Sequence, residues 1–242
     1  MDRKKVALIT GASQGIGRAI AVKFAKEGLQ LAITARNQAN LQKTARMIQK
    51  VGDTEPFIIP ADLRQPEQVV QVAHNAISNL GKVDVLVNNA GVMYLKPFLE
   101  LSLEEYEQMM QVNMRAVFIL TQEIIRHMIS RGEGGTIINI ASLAGKNGFK
   151  TGTGYAATKW ALRGFAQCLM EEVREYDIRV ITIFPGSVNT TLGCNSQVST
   201  GTLPQNKIQP EEIADAAYWA FSMPLRTMVS EIDMRPSNPK KM

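Results

Sequence analysis

Along the chain, short runs of consecutive apolar residues alternate with longer stretches in which apolar positions recur every three to four residues. The short runs read as buried strands at 5–10 (KVALIT), 30–34 (QLAIT), 56–60 (PFIIP), 83–88 (VDVLVN), 135–141 (GTIINIA), 179–184 (RVITIF) and 229–233 (VSEID). Strands separated in this way by helical patterns belong to an α/β fold, a parallel sheet with helices on both faces. The clearest helix spans 103–130. Ser102 and Glu105 make a capping box at its start, and Met109, Val112, Ala116, Val117, Leu120, Ile124 and Met128 form one apolar stripe. Two stretches follow neither period: 143–153 and 189–207. The second is long and polar, and loops of that kind in a compact domain often cover a site.

Composition adds bounds. A chain of 242 residues, 45% hydrophobic and 20% charged, fits one domain over 1–242 with a sizeable core and a substrate loop at about 189–207. The opening MDRKKVALIT breaks at Gly11 and reads as a first strand, not a signal peptide, and no apolar run approaches membrane-spanning length. Cys168 and Cys194 have no disulfide or metal spacing, which suggests a cytoplasmic setting and no metal. The net charge of +5 comes from scattered Lys and Arg mixed with acids, a solvated surface and not a nucleic-acid patch.

Chemistry enters at LITGASQGIGRAI. GASQG fits the G-x-S-x-G elbow of a serine hydrolase, with Ser13 as nucleophile, while TGASQGIG is a glycine turn for a phosphate. An elbow needs an oxyanion loop from an earlier strand and a downstream His. Here nothing precedes the first strand, and the only histidines, His74 and His127, sit within amphipathic helices. The phosphate reading fits better: Gly11, Gly15 and Gly17 lie at a strand-to-helix turn, where backbone N–H groups and a helix N-terminus face an anion. Such turns also occur without ligands. The second strand ends at Arg36, and no Asp or Glu lies between Glu27 and Asp53. An acid there would hold the ribose hydroxyl of NAD, whereas a guanidinium clamps a phosphate, so Arg36 favours NADP(H) unless it is an ordinary surface arginine.

Further on, Ser142 closes a strand, Tyr155 and Lys159 share a helix face in YAATK, and Asn113 lies on the apolar stripe. An ammonium beside a phenol stabilises the phenolate, so Lys159 and a cationic nicotinamide are expected to draw Tyr155 toward working pH. Tyr155 can then exchange a proton with a carbonyl or alcohol, with Ser142 hydrogen-bonding the same oxygen. Asn113 needs buried partners, and a structural hydrogen bond explains it as well as a functional one.

Together these motifs resemble the short-chain dehydrogenase/reductase family over almost the whole chain: TGASQGIG at 10–17, ADL at 61–63, NNAG at 88–91, Asn113, Ser142, YAATK at 155–159 and PGSVNT at 185–190. The resemblance implies a Rossmann-type doubly wound sheet with strand order 3-2-1-4-5-6-7. It implies a catalytic set of Asn113, Ser142, Tyr155 and Lys159, with Asn113 holding a water that relays protons to Lys159. Cofactor contacts would come from Gly11, Ser13, Gly15, Ile16, Gly17 and Arg36, from Asp62 and Leu63 at the adenine, and from Asn88, Ala90 and Gly91 at the ribose. Lys159 would bind the nicotinamide ribose beside Tyr155, and Pro185, Gly186, Val188 and Thr190 would hold the nicotinamide end. The implied activity is reversible NADPH-dependent reduction of a carbonyl. A 3-oxoacyl thioester is one candidate substrate, because the pattern is similar to 3-oxoacyl-acyl carrier protein reductases. Those enzymes usually end in a glycine pair, however, and VSEIDMRPSNPKKM looks more like broad-range ketone, aldehyde or alcohol-converting members. Met93, Tyr94, Leu143, Phe149 and Cys194 are expected to line the substrate pocket. A homodimer or homotetramer is implied through the long helix and the helix after Tyr155, where Ala156, Ala157, Ala161 and Gly164 permit close packing. The alternative of another class is a non-catalytic NADP-binding regulatory protein.

Overall fold

The computed structural model describes residues 4–190, 192 and 206–238. Seven strands, β1 (Val6–Thr10), β2 (Gln30–Ala35), β3 (Phe57–Pro60), β4 (Val85–Asn88), β5 (Gly135–Ile140), β6 (Ile178–Pro185) and β7 (Glu231–Met234), form one sheet. Its order is β3-β2-β1-β4-β5-β6-β7, and every pairing is parallel. This is the Rossmann-type order expected from the motifs. Strands covered on both faces are mostly apolar on both, which is why the central ones read as runs and not as alternations, while the edge strand β7 is only partly buried.

Helices α1 (Gly15–Lys26), α2 (Gln38–Gln49), α3 (Pro66–Leu80), α4 (Leu103–Met110), α5 (Ala116–Arg131), α6 (Thr153–Val173) and α7 (Pro210–Ser222) fill the connections. On one face Ile20, Phe24, Leu41, Ile213 and Ala217 of α1, α2 and α7 pack on the sheet. On the other, Val72, Leu120, Ile124, Met128 and Ala166 of α3, α5 and α6 do the same. Each Val, Leu, Ile, Phe or Met side chain among these, fully buried, contributes about 1.5–3 kcal/mol relative to exposure. None of the helices among the described residues is long and apolar enough to cross a membrane.

The helix expected over 103–130 forms in two pieces. Its capping box is present, with Glu105 N–H donating to Ser102 Oγ and Ser102 N–H to Glu105 Oε2, both at 3.1 Å. Between α4 and α5, however, residues Gln111–Arg115 make a wider π turn. The bulge is held by Asn113, whose amide group bonds the Val92 backbone on both sides. Such single turns inside α-helices often mark functional positions.

The strand order reverses between β2-β1 and β4-β5, so the connections leaving β1 and β4 diverge and open a crevice at their C-terminal ends. The glycine-rich turn and the NNAG segment both sit there.

Candidate active site

The crevice is a cleft of about 330 Å³. Of the residues expected at a cofactor, Gly11, Ser13, Gly15, Ile16, Arg36, Asp62, Leu63, Ala90, Gly91 and Thr190 line it.

Its shape comes mainly from backbone. Gly11 has φ +66°, and a Cβ there would lie 2.8 Å from Ala90 Cα; a Cβ on Gly17 would lie 2.3 Å from Asn89 Nδ2. These two glycines let the turn lie against the β4 end. Thr10 Oγ1 accepts from the N–H groups of Asn89 and Ala90 at 3.0 Å, and Asn89 Nδ2 donates to the Thr10 carbonyl at 2.9 Å. Arg18 clamps the same turn, donating to the Ser13 carbonyl and, at 3.1 Å, to Thr44 Oγ1. Beyond the turn, α1 opens at Gln14 with no capping side chain and no acid in its first turn. Its leading N–H groups therefore face the cleft as an anion site. A pyrophosphate fits this cradle.

At the far wall, the Arg64 guanidinium grips the Asp62 carboxylate at 2.6–3.1 Å. Those hydrogen bonds hold the Asp62 carboxyl below the usual carboxylate range, with a smaller push from the Arg36 charge. Arg36 is exposed at the end of β2, and among the described residues it makes no ion pair. Asn37 accepts the N–H of Asn40 at 2.9 Å and so caps α2 beside it.

Asn88 was expected at the cofactor ribose, and Asn89 was not singled out. The Asn88 side chain turns into the core, donating to Thr121 Oγ1 and Asn139 Oδ1 at 3.0 Å, and its neighbour Asn89 lines the cleft instead. Gln14, Asn37 and Asn40 also line it and were not singled out from the sequence. Polar side chains flanking a glycine turn and a strand end were the signal available.

Tyr155, 6% exposed, and Lys159, 4% exposed, enter from the first turns of α6. Lys159 Nζ donates to the Ile140 carbonyl at 3.0 Å and stands 5.7 Å from the centre of the Tyr155 ring. Ser142, just past the end of β5, accepts the Ala144 N–H at 3.1 Å and lies near enough to the Tyr155 hydroxyl to favour its ionised form. Burial pushes Tyr155 up to about 12, with Ser142 pulling the other way, and burial pushes Lys159 down to about 8. In the protein by itself burial governs Tyr155, and the lowering expected from Lys159 acting with a cationic nicotinamide belongs to the cofactor-bound state. Removing a phenolate from water costs more than this ammonium, bonded to a carbonyl, returns. Asn113 is 1% exposed and its amide is fully engaged, by Val92 N at 2.8 Å, Val92 O at 2.9 Å and Thr158 Oγ1 at 3.0 Å.

Gly186 N–H donates to the Met234 carbonyl at 2.8 Å, and Val188 bridges Ile208, so the segment from Pro185 to Thr190 is tied to both β7 and the approach to α7. Of the residues expected in a substrate pocket, Met93 and Tyr94 pack around Tyr155, Leu143 packs beside Phe184, and Phe149 is half-exposed over Gly152. Cys194 and most of the 189–207 loop lie outside the described residues. His74 and His127 lie on α3 and α5, and neither lines the cleft, which leaves Ser13 without a base.

The fold carries a glycine-lined cleft and, separately among the described side chains, a buried tyrosine and lysine, and known proteins resemble the chain over its length. The family model described as short chain dehydrogenase matches residues 5–199. An uncharacterized oxidoreductase of Staphylococcus saprophyticus is 33% identical over 96% of this chain and 97% of its own. An alcohol dehydrogenase from the archaeon Thermococcus sibiricus, solved with 5-hydroxy-NADP, superimposes with a TM-score of 0.89 at 31% identity over 99% of both chains. An acetoin dehydrogenase from Salmonella typhimurium gives 0.85 at 31% identity, covering 96% of this chain and 94% of that one. The chain belongs to the short-chain dehydrogenase/reductase family of oxidoreductases.

Proposed function

We propose that the protein is an NADP(H)-dependent oxidoreductase that interconverts a carbonyl and an alcohol, with residues 1–242 acting as one catalytic unit. The observation that carries this reading is the buried Tyr155, with Ser142 near its hydroxyl and Lys159 beside its ring. Bound NADPH supplies the hydride. The chain's own part is to hold and move a proton. With its pKa near 12, Tyr155 keeps its proton at neutral pH and is ready to give it to a carbonyl oxygen as that oxygen gains charge. Ser142 donates to the same oxygen, stabilising it in a site shielded from water. Lys159 holds a positive charge next to the phenolate left behind. Asn113 fixes the Val92 segment and Thr158, and so the wall of the site beside Tyr155.

Arg36 supports NADP over NAD, because it lines the cleft at the position where an acid would repel a 2′-phosphate. The NADP analogue in the Thermococcus sibiricus structure and the NADP in a metagenomic short-chain oxidoreductase of 32% identity add support. For substrate, the alcohol and acetoin dehydrogenases among the structural relatives favour a small ketone or alcohol over a 3-oxoacyl thioester. The face of α5 and α6 suits a homodimer: Phe118 and Trp160 are half-exposed there, and Ala157 and Gly164 point outward, while Ala156 packs inside.

The test is NADPH oxidation with acetoin, diacetyl and acetoacetyl-CoA, each repeated with NADH. NADPH-selective turnover of the small ketones supports the reading, and faster turnover of the thioester moves the substrate to acyl chains. NADPH binding with no turnover of any carbonyl or alcohol makes the protein a non-catalytic binder.

A further inference from the structure

Strand β7 carries a carboxylate that joins the two segments bearing Ser142 and Tyr155. We propose that Glu231 is a positioning residue that sets the Ser142 hydroxyl against the Tyr155 hydroxyl, a role that rests on the carbonyl/alcohol reading above.

One arm runs to Ser142. Lys146 follows the tight turn Leu143–Gly145 that Ser142 begins, and its Nζ lies 2.6 Å from Glu231 Oε2 and 2.7 Å from Asp233 Oδ1. The other arm runs to Tyr155 and Lys159. Arg163, one turn beyond Lys159 on α6, brings Nε to 3.0 Å from Glu231 Oε1 and Nη2 to 3.3 Å from Oε2, and Gln167 Nε2 donates to Oε1 at 3.1 Å. Both cations also lie over the buried ring of Phe184, at 4.1 Å for Lys146 and 5.8 Å for Arg163. Between the arms the turn sits directly on the catalytic helix: a Cβ on Gly145 would fall 2.6 Å from the Lys159 carbonyl oxygen.

An isolated surface ion pair contributes little. This one is a network, with side chains of Lys146 and Glu231 only 17% and 24% exposed and a forked guanidinium fixing its geometry. Burial alone would pull Lys146 down, and the two carboxylates more than offset it, holding the ammonium above the ordinary lysine value. Burial would likewise raise Glu231, and Lys146 and Arg163 hold it below the carboxylate range. The consequence falls on Ser142. Its hydroxyl accepts an N–H from within the same turn, so where the turn goes, the hydroxyl goes. A misplacement of about 1 Å at such a donor costs on the order of 10²-fold in rate.

The experiment compares Glu231→Gln and Lys146→Met with the wild type in the full chain, alone and in a Ser142→Ala background. We expect NADPH dissociation constants, read by its fluorescence, within twofold of wild type, and kcat at least tenfold lower in both variants. In the Ser142→Ala background the same substitutions should cost less than twofold, because the hydroxyl they misplace is gone. Retained kcat overturns the proposal, and so does a full loss repeated in the Ser142→Ala background, which would make Glu231 a general stabiliser. Amide exchange across 143–146 is read on the same proteins and needs no substrate. If the wild type turns over nothing, the functional reading fails and exchange decides the placement: faster exchange there with α1 unchanged upholds the tether, and unchanged protection overturns it.

Discussion

At the glycine-rich end of the site the turn is shaped by close approach of backbone, whereas at the tyrosine end two buried ionisable groups are held far from their ordinary values. The first end is specified by sterics: Gly11 and Gly17 exist so that Ala90 and Asn89 can come close. The second is specified by desolvation, which moves Tyr155 up to about 12 and Lys159 down to about 8. Damage at the first end should therefore appear in folding and binding, and damage at the second in rate and in pH dependence.

The largest effect is expected from Tyr155→Phe. The substitution removes one oxygen from the tyrosine end, and kcat should fall about 10²–10⁴-fold, the usual range for a general acid, while the NADPH dissociation constant holds. A steady-state rate within tenfold of wild type would erase the distinction between the two ends. Next comes Gly11→Ala, which places a Cβ 2.8 Å from Ala90 Cα on a residue at φ +66°. It should cost at least about 2 kcal/mol in urea unfolding, combining left-handed backbone with a backbone clash. A loss below about 0.5 kcal/mol would show the turn to be plastic.

Arg36→Ala should act on binding alone. Losing charge-assisted hydrogen bonds worth about 1.5–3 kcal/mol weakens NADPH by roughly tenfold to a hundredfold, with NADH affinity and saturated kcat unchanged. Equal weakening of both dinucleotides would place Arg36 away from the 2′-phosphate. The smallest effect concerns stability and pH. Lys159 falls from an ordinary 10.5 to about 8 in the folded chain, so between those values the unfolded chain binds more protons. Stability from this group then rises with pH across that window and is lost as pH falls through 8. Measured against Lys159→Met, the wild type should gain on the order of 1 kcal/mol between pH 8 and 9.5. Tyr155 acts in the opposite sense above pH 10, where the unfolded phenol ionises first. A flat difference between the two proteins would mean that water reaches the ammonium.

The sheet was legible because burial on both faces leaves its central strands mostly apolar, and all seven runs became strands, the partly buried edge strand β7 with Glu231 and Asp233 among them. The long helix was legible as an apolar stripe, but its π turn was not. The stripe Met109, Val112, Ala116 continues through the bulge, and only the Val92 backbone against Asn113 shows why the helix widens. Tyr155 and Lys159 were legible as a pair on one face. The burial of the tyrosine was not, since spacing gives neighbours and desolvation depends on everything packed around them. Asn88 and Asn89 show the same limit at a strand end: adjacent side chains point opposite ways, and parity decides which meets the cleft. Glu231 was read as part of a strand, while its partner Arg163 lies 68 residues away in sequence.

The hydrogen bonds that Thr10, Asn89 and Arg18 make to the glycine turn are all internal to the protein. The surface that meets a dinucleotide is therefore assembled by folding, and little ordering remains for the encounter itself. Arrival should then be as fast for one dinucleotide as for another. The preference carried by Arg36 would be expressed in how long each stays, as a difference in dissociation rate and not in association rate.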